Sequence, residues 1–360
     1  MKLDELIAID VHTHAEVSCR QEPDEAWKPY EEASSKYFKA GSKRPTIKET
    51  IAYYRERKIG LVMFTVDSEA QLGVRRIPNE EVAEAAAENS DMMIAFASID
   101  PHKGKMGVRE ARSLLKSGVI KGFKFHPTTQ GFFPNDSKLA YPLYEVIAEH
   151  KLPAIFHSGH SGIGTGMPGG GGLRLKYSNP MHLDDVAADF PDMTIIIAHP
   201  SWPWQDEALS VCLHKPNVYI DLSGWSPKYF PPQLVQHANG QLKHKMLFGS
   251  DYPLITPDRW IKDFKEAQFK PEVVRIVVEL DAATDNVQQI ARTCLNQQRF
   301  QKLYRRLYWF RADLFFDANR RHVRSGHGSL GKRNGGDETR RELRALLGHR
   351  GRNSFHLSLD

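Results

Sequence analysis

Cysteine is scarce in this 360-residue chain. Its three cysteines, Cys19, Cys212 and Cys294, are far apart and form no CxxC pair. That argues against a disulfide framework and fits a reducing compartment. Long hydrophobic runs are also lacking. No apolar stretch approaches the ~20 residues that cross a bilayer, and the opening Met1-Lys2-Leu3-Asp4-Glu5 has neither the basic start nor the apolar core of a secretion signal. The expectation is a cytoplasmic protein with no membrane contact. Positive charge is lacking from most of the chain as well. The net charge of +5 hides a tail from Arg299 onward with 15 Lys and Arg against 6 Asp and Glu. The body before it is therefore mildly acidic and gives no reason to expect nucleic acid as its partner. What remains is long enough for one large domain with an appendage.

Within the body, short β-branched runs alternate with segments of helical periodicity. Strand candidates are Ile7–His12, Gly60–Val66, Met92–Ile99, Ile120–His126, Leu152–His157, Thr194–His199, Val218–Leu222 and Lys245–Ser250. Helical stretches lie near Ile47–Arg57, Asn79–Asn89, Lys105–Lys116, Ala140–His150, Met181–Phe190, Gln205–His214, Pro231–Gln241 and Pro257–Ala267. This rhythm predicts an α/β fold, a (β/α)8 TIM barrel, with an atypical basic C-terminal extension. A doubly wound sheet is the alternative, but the glycine-rich turn expected after its first strand is replaced by His-Thr-His. The expected division is a barrel over 1–270, an atypical helical region over 271–298 and a basic, irregular tail over 299–360. Two loops, Ala15–Pro45 and Ser158–Pro180, are long enough to be lids or binding loops. The run Gly169–Gly172 reads as a flexible connection or as a backbone nest for an anion.

Buried parallel strands should be apolar throughout. Here polar residues gather at the strands' C-terminal ends: His12 and His14, Lys124 and His126, His157, His199, Asp221 and Asp251. In a barrel that end carries the active site. Strand periodicity points His12 and His14 to one side, so both imidazoles can reach one ion. A lone HxH is as often structural, but His157, His199 and Asp251 occupy the matching ends of later strands. Histidine and carboxylate ligands suit Zn²⁺, with Mn²⁺, Fe²⁺ and Co²⁺ as alternatives. Such an ion lowers the pKa of a bound water to roughly 7. Asp251 could instead cap the helix after Pro253, and His199 could be a buried histidine satisfied by backbone.

Other residues keep more than one reading. Lys124 could bridge two ions as a carbamate, bind a substrate carboxylate as an ammonium, or pair with an acid such as Asp221. His126 is a second substrate contact or bonds to a loop. Arg174, Lys176, Tyr177 and Asn179, like His160, bind an anionic substrate or are solvated loop residues. Trp202, Trp204 and Trp225 form an apolar wall or pack in the core.

The HxH after strand one, the histidine of IFHSGH, the histidine of IIAHPSWPW and the aspartate of LFGSDYP together resemble the amidohydrolase superfamily. The resemblance spans about Leu6 to Ala267. It points to the amidohydrolase-related branch that contains aminocarboxymuconate-semialdehyde decarboxylase and γ-resorcylate decarboxylase. It implies His12, His14, His157 and Asp251 as metal ligands, with His199 a catalytic histidine beside them or a further ligand where two ions are bound; on chemical grounds Asp251 would accept the bound water's proton or orient the hydroxide. One Zn²⁺ is implied, or two ions if Lys124 is carbamylated. The FKFHP, PGGGGLRLKYSNP and AHPSWPWQDEAL segments look most like the subgroup named 4-hydroxyphenyl-β-ketoacyl-CoA hydrolases. That implies a hydrolase whose activated water cleaves a C–C bond beside a carbonyl, acting on an aromatic-derived acid or acyl thioester in aromatic catabolism. Non-oxidative decarboxylation of an aromatic or muconate-type carboxylate is the alternative, and amide, ester or lactone hydrolysis the third. The family's closing helix, with an Asn-Ala-x-Arg-Leu-like segment, is missing near Lys270–Val274, which would leave the barrel poorly sealed. The Arg-rich tail, with a helix candidate at Leu303–Phe316, keeps nucleic-acid or membrane-surface binding open for that segment alone. A homo-oligomer is compatible with the sequence.

Overall fold

A computed structural model of the chain describes residues 1–41 and 44–279. The helix candidate Leu303–Phe316, the boundary at residue 298 and the basic tail lie outside the described residues. Among the described residues no helix is long and apolar enough to cross a membrane.

Eight strands, β1 (Ala8–His14), β2 (Ile59–Phe64), β3 (Met93–Ala97), β4 (Ile120–Phe125), β5 (Ala154–His157), β6 (Ile195–Ala198), β7 (Val218–Asp221) and β8 (Met246–Leu247), form one sheet in chain order. Every neighbouring pair is parallel. The first connection holds α1 (Lys28–Phe38) and α2 (Ile47–Glu56), the second a one-turn α3 (Glu69–Leu72) and α4 (Asn79–Glu88). After β3 comes α5 (Gly104–Lys116), and after β4 a one-turn α6 (Pro127–Gln130) and α7 (Tyr141–Glu149). Then follow α8 (His182–Asp189), α9 (Gln205–His214), α10 (Pro232–Ala238), α11 (Pro257–Glu266) and α12 (Pro271–Val278). Between β8 and β1, Val11 N–H donates to Phe248 O (2.9 Å), Asp251 N–H to His12 O (3.0 Å) and His14 N–H to Tyr252 O (2.9 Å), so the sheet closes on itself. The architecture is a (β/α)8 barrel.

Local chemistry starts the helices where the sequence places them. Thr46 accepts from Glu49 N–H while the Glu49 carboxylate takes the Thr46 N–H, a reciprocal cap at the head of α2. Thr256 caps α11 by accepting from Arg259 N–H. Asp251 is thus free of the capping role that the sequence also allowed.

Each strand divides its side chains between two cores. Leu61, Met63, Ala95, Phe123, Phe156 and Ile197 point outward to the helices, whereas Ile9, Val11, Val62, Phe64, Ile94, Phe96, Ile155, Ile196, Tyr219 and Leu247 fill the barrel. Gly122 leaves room for the Phe96 ring, because a Cβ there would lie 2.4 Å from it. The long first loop is not irregular throughout, since it contains α1. The poorly sealed barrel inferred from the missing last helix is not observed. Asp258 of α11 accepts from Tyr53 Oη (2.7 Å) and from Arg57 Nε (2.6 Å) at the end of α2. Trp260 of α11, fully buried, donates from Nε1 to Leu222 O at 3.0 Å. α12, which begins at Pro271 where that last helix was expected, adds Val273, Val277 and Val278 to the outer core.

Candidate metal centre

β1 brings the first two histidines to the barrel's mouth by an irregularity, not by simple alternation. Its pairing with β2 shifts between Asp10 and Thr13, so three steps on β1 match two on β2. Ile9 faces the barrel interior below the shift and Val11 does so within it, while His14 pairs with Phe64 above it. Strict alternation from Ile9 and Val11 would turn His12 and His14 outward. The bulge re-aims them inward, a use of bulges common beside active sites.

A buried carboxylate holds this seam. Asp10 accepts from His12 N–H (3.0 Å), Ser250 N–H (3.0 Å), Ser250 Oγ (2.5 Å) and Tyr54 Oη (2.7 Å). It thereby ties β1 to the turn that presents Asp251. Burial raises its carboxyl to about 6, although these hydrogen bonds pull the other way. His199 and Asp251 leave their strands with positive φ, 73° and 69°. Such backbone strain in non-glycine residues persists where the surroundings over-determine it, and it clusters at functional sites.

Three donor atoms converge at the mouth. His12 Nε2 and His14 Nε2 are 3.3 Å apart, and Asp251 Oδ1 lies 3.3 Å from the first and 3.1 Å from the second. Asp221, at the end of β7, stands 2.9 Å from His12 Nδ1. A carboxylate there makes Nδ1 the protonated nitrogen and leaves Nε2 as a lone pair directed at the other two donors. Lone pairs so placed repel unless a cation lies among them. An ion with bonds of roughly 2.0–2.2 Å puts its ligand atoms about 3.0–3.5 Å apart, which these distances match. A second observation points the same way: His157 Nε2 is buried without a hydrogen-bond partner among the described residues. The donor set therefore fits a divalent ion held by His12, His14 and Asp251, with the unpaired His157 nitrogen lining the same cavity.

The electrostatics agree with neutral imidazoles and ionised carboxylates. Burial, then the Lys124 charge, pushes His12 down to about 3 despite Asp221. Burial also drives His126 and His157 well below the usual histidine range and lowers His199. Burial alone would raise Asp221, but His12 and His199 outweigh it and hold the carboxyl at about 2. Asp251 is likewise held far below the ordinary range: burial opposes, and His14, His12 and His199 win. Lys124 is fully buried, and burial lowers it to about 8 while Asp221 and Asp251 partly offset that.

The sequence candidates separate into those at this centre and those away from it. Lys124 Nζ sits 3.1 Å from His12 Nε2 and 4.8 Å from the Phe64 ring centre. Asp221, its suggested partner, is instead the orienting carboxylate of His12. His199 Nε2 meets His157 Nδ1 at 3.0 Å and its Nδ1 meets Ser223 Oγ at 2.9 Å, so side chains partner both of its ring nitrogens. A cavity of about 450 Å³ opens above, lined by His14, Lys124, His126, His157, His199 and Asp251, with His160, Trp225, Tyr37 and Phe38 on its wall. Arg174 and Lys176 are exposed and Tyr177 is half-buried, and none of the three lines this cavity. Lys176 instead lies over the Phe133 and Tyr177 rings. Trp202, 46% exposed, is also outside the lining; of the three tryptophans, Trp225 faces the cavity. Gly169, Gly170 and Gly171 form a left-handed turn with φ near 60°, and Gly171 O accepts from Tyr30 Oη at 3.0 Å.

Sequence reasoning passed over Ser223, Gly224, Gly249 and Asp10. A Cβ on Gly224 would lie 2.5 Å from His199 Nδ1, and one on Gly249 would lie 3.0 Å from His12 Cβ, Ser223 Cβ and Asp221 Oδ1. A glycine two residues before Asp251, continuing a strand whose neighbours carry large side chains, is the signal that such close approach leaves in a sequence.

Comparisons with known proteins fit this geometry. A 63-residue stretch is 35% identical to Protein fluG of Emericella nidulans, covering 18% of this chain and 7% of that protein. A TIM-barrel protein of Bordetella bronchiseptica superposes with a TM-score of 0.62 at 21% identity, over 80% of this chain and 99% of that one. The 5-carboxyvanillate decarboxylase of Sphingomonas paucimobilis gives 0.53 at 13% identity, over 79% and 98%. A dihydroxybenzoic acid decarboxylase of Polaromonas sp., solved with bound manganese and 2-nitroresorcinol, gives 0.53 at 14% identity, over 81% and 98%. At these identities the structural likeness speaks for the fold. Residues 9–287 match the Amidohydrolase family, and with the barrel and its histidine–aspartate mouth in place, the chain belongs to the amidohydrolase family and is an enzyme of that superfamily.

Proposed function

We propose that the chain is a metal-dependent carboxy-lyase that removes CO2 without oxidation from an aromatic or similarly unsaturated carboxylate. The observation that carries this reading is the convergence of His12 Nε2, His14 Nε2 and Asp251 Oδ1 within 3.1–3.3 Å at the foot of a cavity walled by Tyr37, Phe38 and Trp225. A divalent ion, when bound, supplies a fixed positive charge that holds substrate oxygens and stabilises negative charge as the carboxyl carbon departs. The chain's own residues do the rest. Asp221 fixes the His12 ring, and Ser223 with His157 fixes His199. The Lys124 ammonium adds a second positive charge towards a substrate carboxylate, and the aromatic wall holds a ring and keeps water out.

Several solved neighbours are named decarboxylases, which supports this order of readings over hydrolysis, the reading the sequence segments favoured. The hydrolytic alternative, C–C cleavage beside a carbonyl, is supported by cavity size: about 450 Å³ is ample for a substrate larger than a monocyclic acid. Zinc and manganese both suit two imidazoles and a carboxylate. Incubation of the metal-loaded protein with a panel of hydroxybenzoates and with a β-ketoacyl thioester separates the readings. Release of CO2 with a proton in its place supports the lyase. Products carrying ¹⁸O from labelled water, without CO2, refute it in favour of the hydrolase.

A further inference from the structure

We propose that His126 is locked by its surroundings as a neutral ring with its proton on Nε2, and that this N–H donates to an acceptor oxygen of the substrate in the cavity. The inference rests on the reading above only for the class of substrate, one with a carboxylate or ketone oxygen.

His126 follows β4 directly and is the cap of α6. Its Nδ1 accepts the Thr129 N–H at 3.3 Å. A ring nitrogen that accepts a hydrogen bond carries no proton, so in a neutral imidazole the proton is on the other nitrogen. The backbone that carries the ring is held in place, and the Thr129 N–H distinguishes its two nitrogens. The His126 N–H donates to Gln130 Oε1 (2.7 Å), and Gln130 Nε2 donates to Asp67 O (2.8 Å), anchoring α6 to the loop after β2. Thr129 Oγ1 donates to His126 O (3.3 Å) and accepts from Ser68 Oγ (2.9 Å). The ring lies flat on His157, with centres 3.8 Å apart and planes 8° apart.

His126 Nε2 has no hydrogen bond to any described residue, yet it is not among the buried atoms left without a partner. The ring lines the cavity beside His157, Lys124 and Thr129. It therefore offers a fixed donor to an oxygen that accepts, and nothing to a substrate hydroxyl that must donate. A histidine kept only to cap a one-turn helix would be dispensable, because asparagine is the stronger cap.

That contrast supplies the test. His126→Asn keeps an acceptor near Nδ1 and removes the cavity donor, whereas His126→Gln places an amide near Nε2 and gives up the cap. In the full chain loaded with diamagnetic Zn²⁺, two-bond ¹⁵N–¹H correlation spectra of ¹⁵N-labelled histidine, with His126→Asn identifying the signal, should show the Nε2–H form. Calorimetric titration with salicylate should show affinity about tenfold or more weaker in His126→Asn, at unchanged metal content and Tm. His126→Gln should recover most of the affinity at a lower Tm. An Nδ1–H or doubly protonated ring overturns the proposal, and so does wild-type affinity in His126→Asn. If the wild type binds no salicylate while showing the Nε2–H form, the aromatic-acid reading fails separately. Titration with acetoacetate then decides the donor role by the same comparison.

Discussion

The lower and upper halves of the barrel interior are built on opposite principles. Below, Ile9, Val62, Ile94, Phe96, Ile155, Ile196 and Leu247 interlock, with Gly122 giving way to the Phe96 ring. Above, His12, Lys124, His126, His157 and Asp221 are as deeply buried but polar, and the backbone at His199 and Asp251 turns through positive φ. The lower half gains from every apolar atom removed from water. The upper half loses on desolvation and recovers the loss only through fixed partners, Asp221 on His12 and Ser223 on His199. Stability should therefore be concentrated in the lower half and the outer helices, and sensitivity of function in the upper half.

The sharpest way to break this contrast is in the upper half. Replacing His12 and His14 together by alanine should abolish metal retention, read by elemental analysis, and lower turnover by about a thousandfold or more, while the barrel stays folded by circular dichroism. Next in size, Trp260→Ala should cost about 3–5 kcal/mol in denaturant unfolding, because that ring is wholly buried between α11 and the sheet. The metal content of whatever remains folded should be unchanged. Asp221→Asn should weaken metal affinity by about 10- to 100-fold in a chelator competition, with little change in the fold. Gly224→Ala meets both a φ of 75° and a contact 2.5 Å from His199 Nδ1. It should cost roughly 1–3 kcal/mol and lower activity more than its effect on Tm would explain. The smallest effect concerns thiols. Burial raises Cys212 to about 12, whereas Cys19 is exposed. Alkylation at pH 8, followed by peptide mass analysis, should label Cys19 and spare Cys212 until the barrel unfolds.

Much of the fold was legible because it depends on local periodicity. Gln205–His214 is observed as expected, and other helices differ by a residue or a few at their ends. β8 is the largest shortfall: Met246–Leu247 is all that pairs regularly of the expected Lys245–Ser250. There the turn that presents Asp251 is held by backbone bonds to β1, such as Asp251 N–H to His12 O, together with the Asp10 carboxylate on Ser250. α1 was not expected because its Lys- and Glu-rich stretch has little apolar patterning to mark it. Of the site candidates, those at strand ends arrive at the cavity or, as His12 and Asp221 do, among the buried donors beneath it, since one placement rule governs them all. Arg174, Lys176, Tyr177 and Trp202 lie in loops, where sequence distance from a histidine says little about direction, and they line no part of it.

The sequence by itself determined the barrel rhythm, the collection of polar residues at one end and the family, because each follows from the order and period of residues along the chain. Only the tertiary structure decided which nitrogens face one another. The bulge between Asp10 and Thr13 turns His12 and His14 inward, Asp221 rather than Lys124 claims His12 Nδ1, and Thr129 claims His126 Nδ1. Those choices arise between strands far apart in sequence. They are settled by the need of each buried polar atom to find a partner, which no local pattern records.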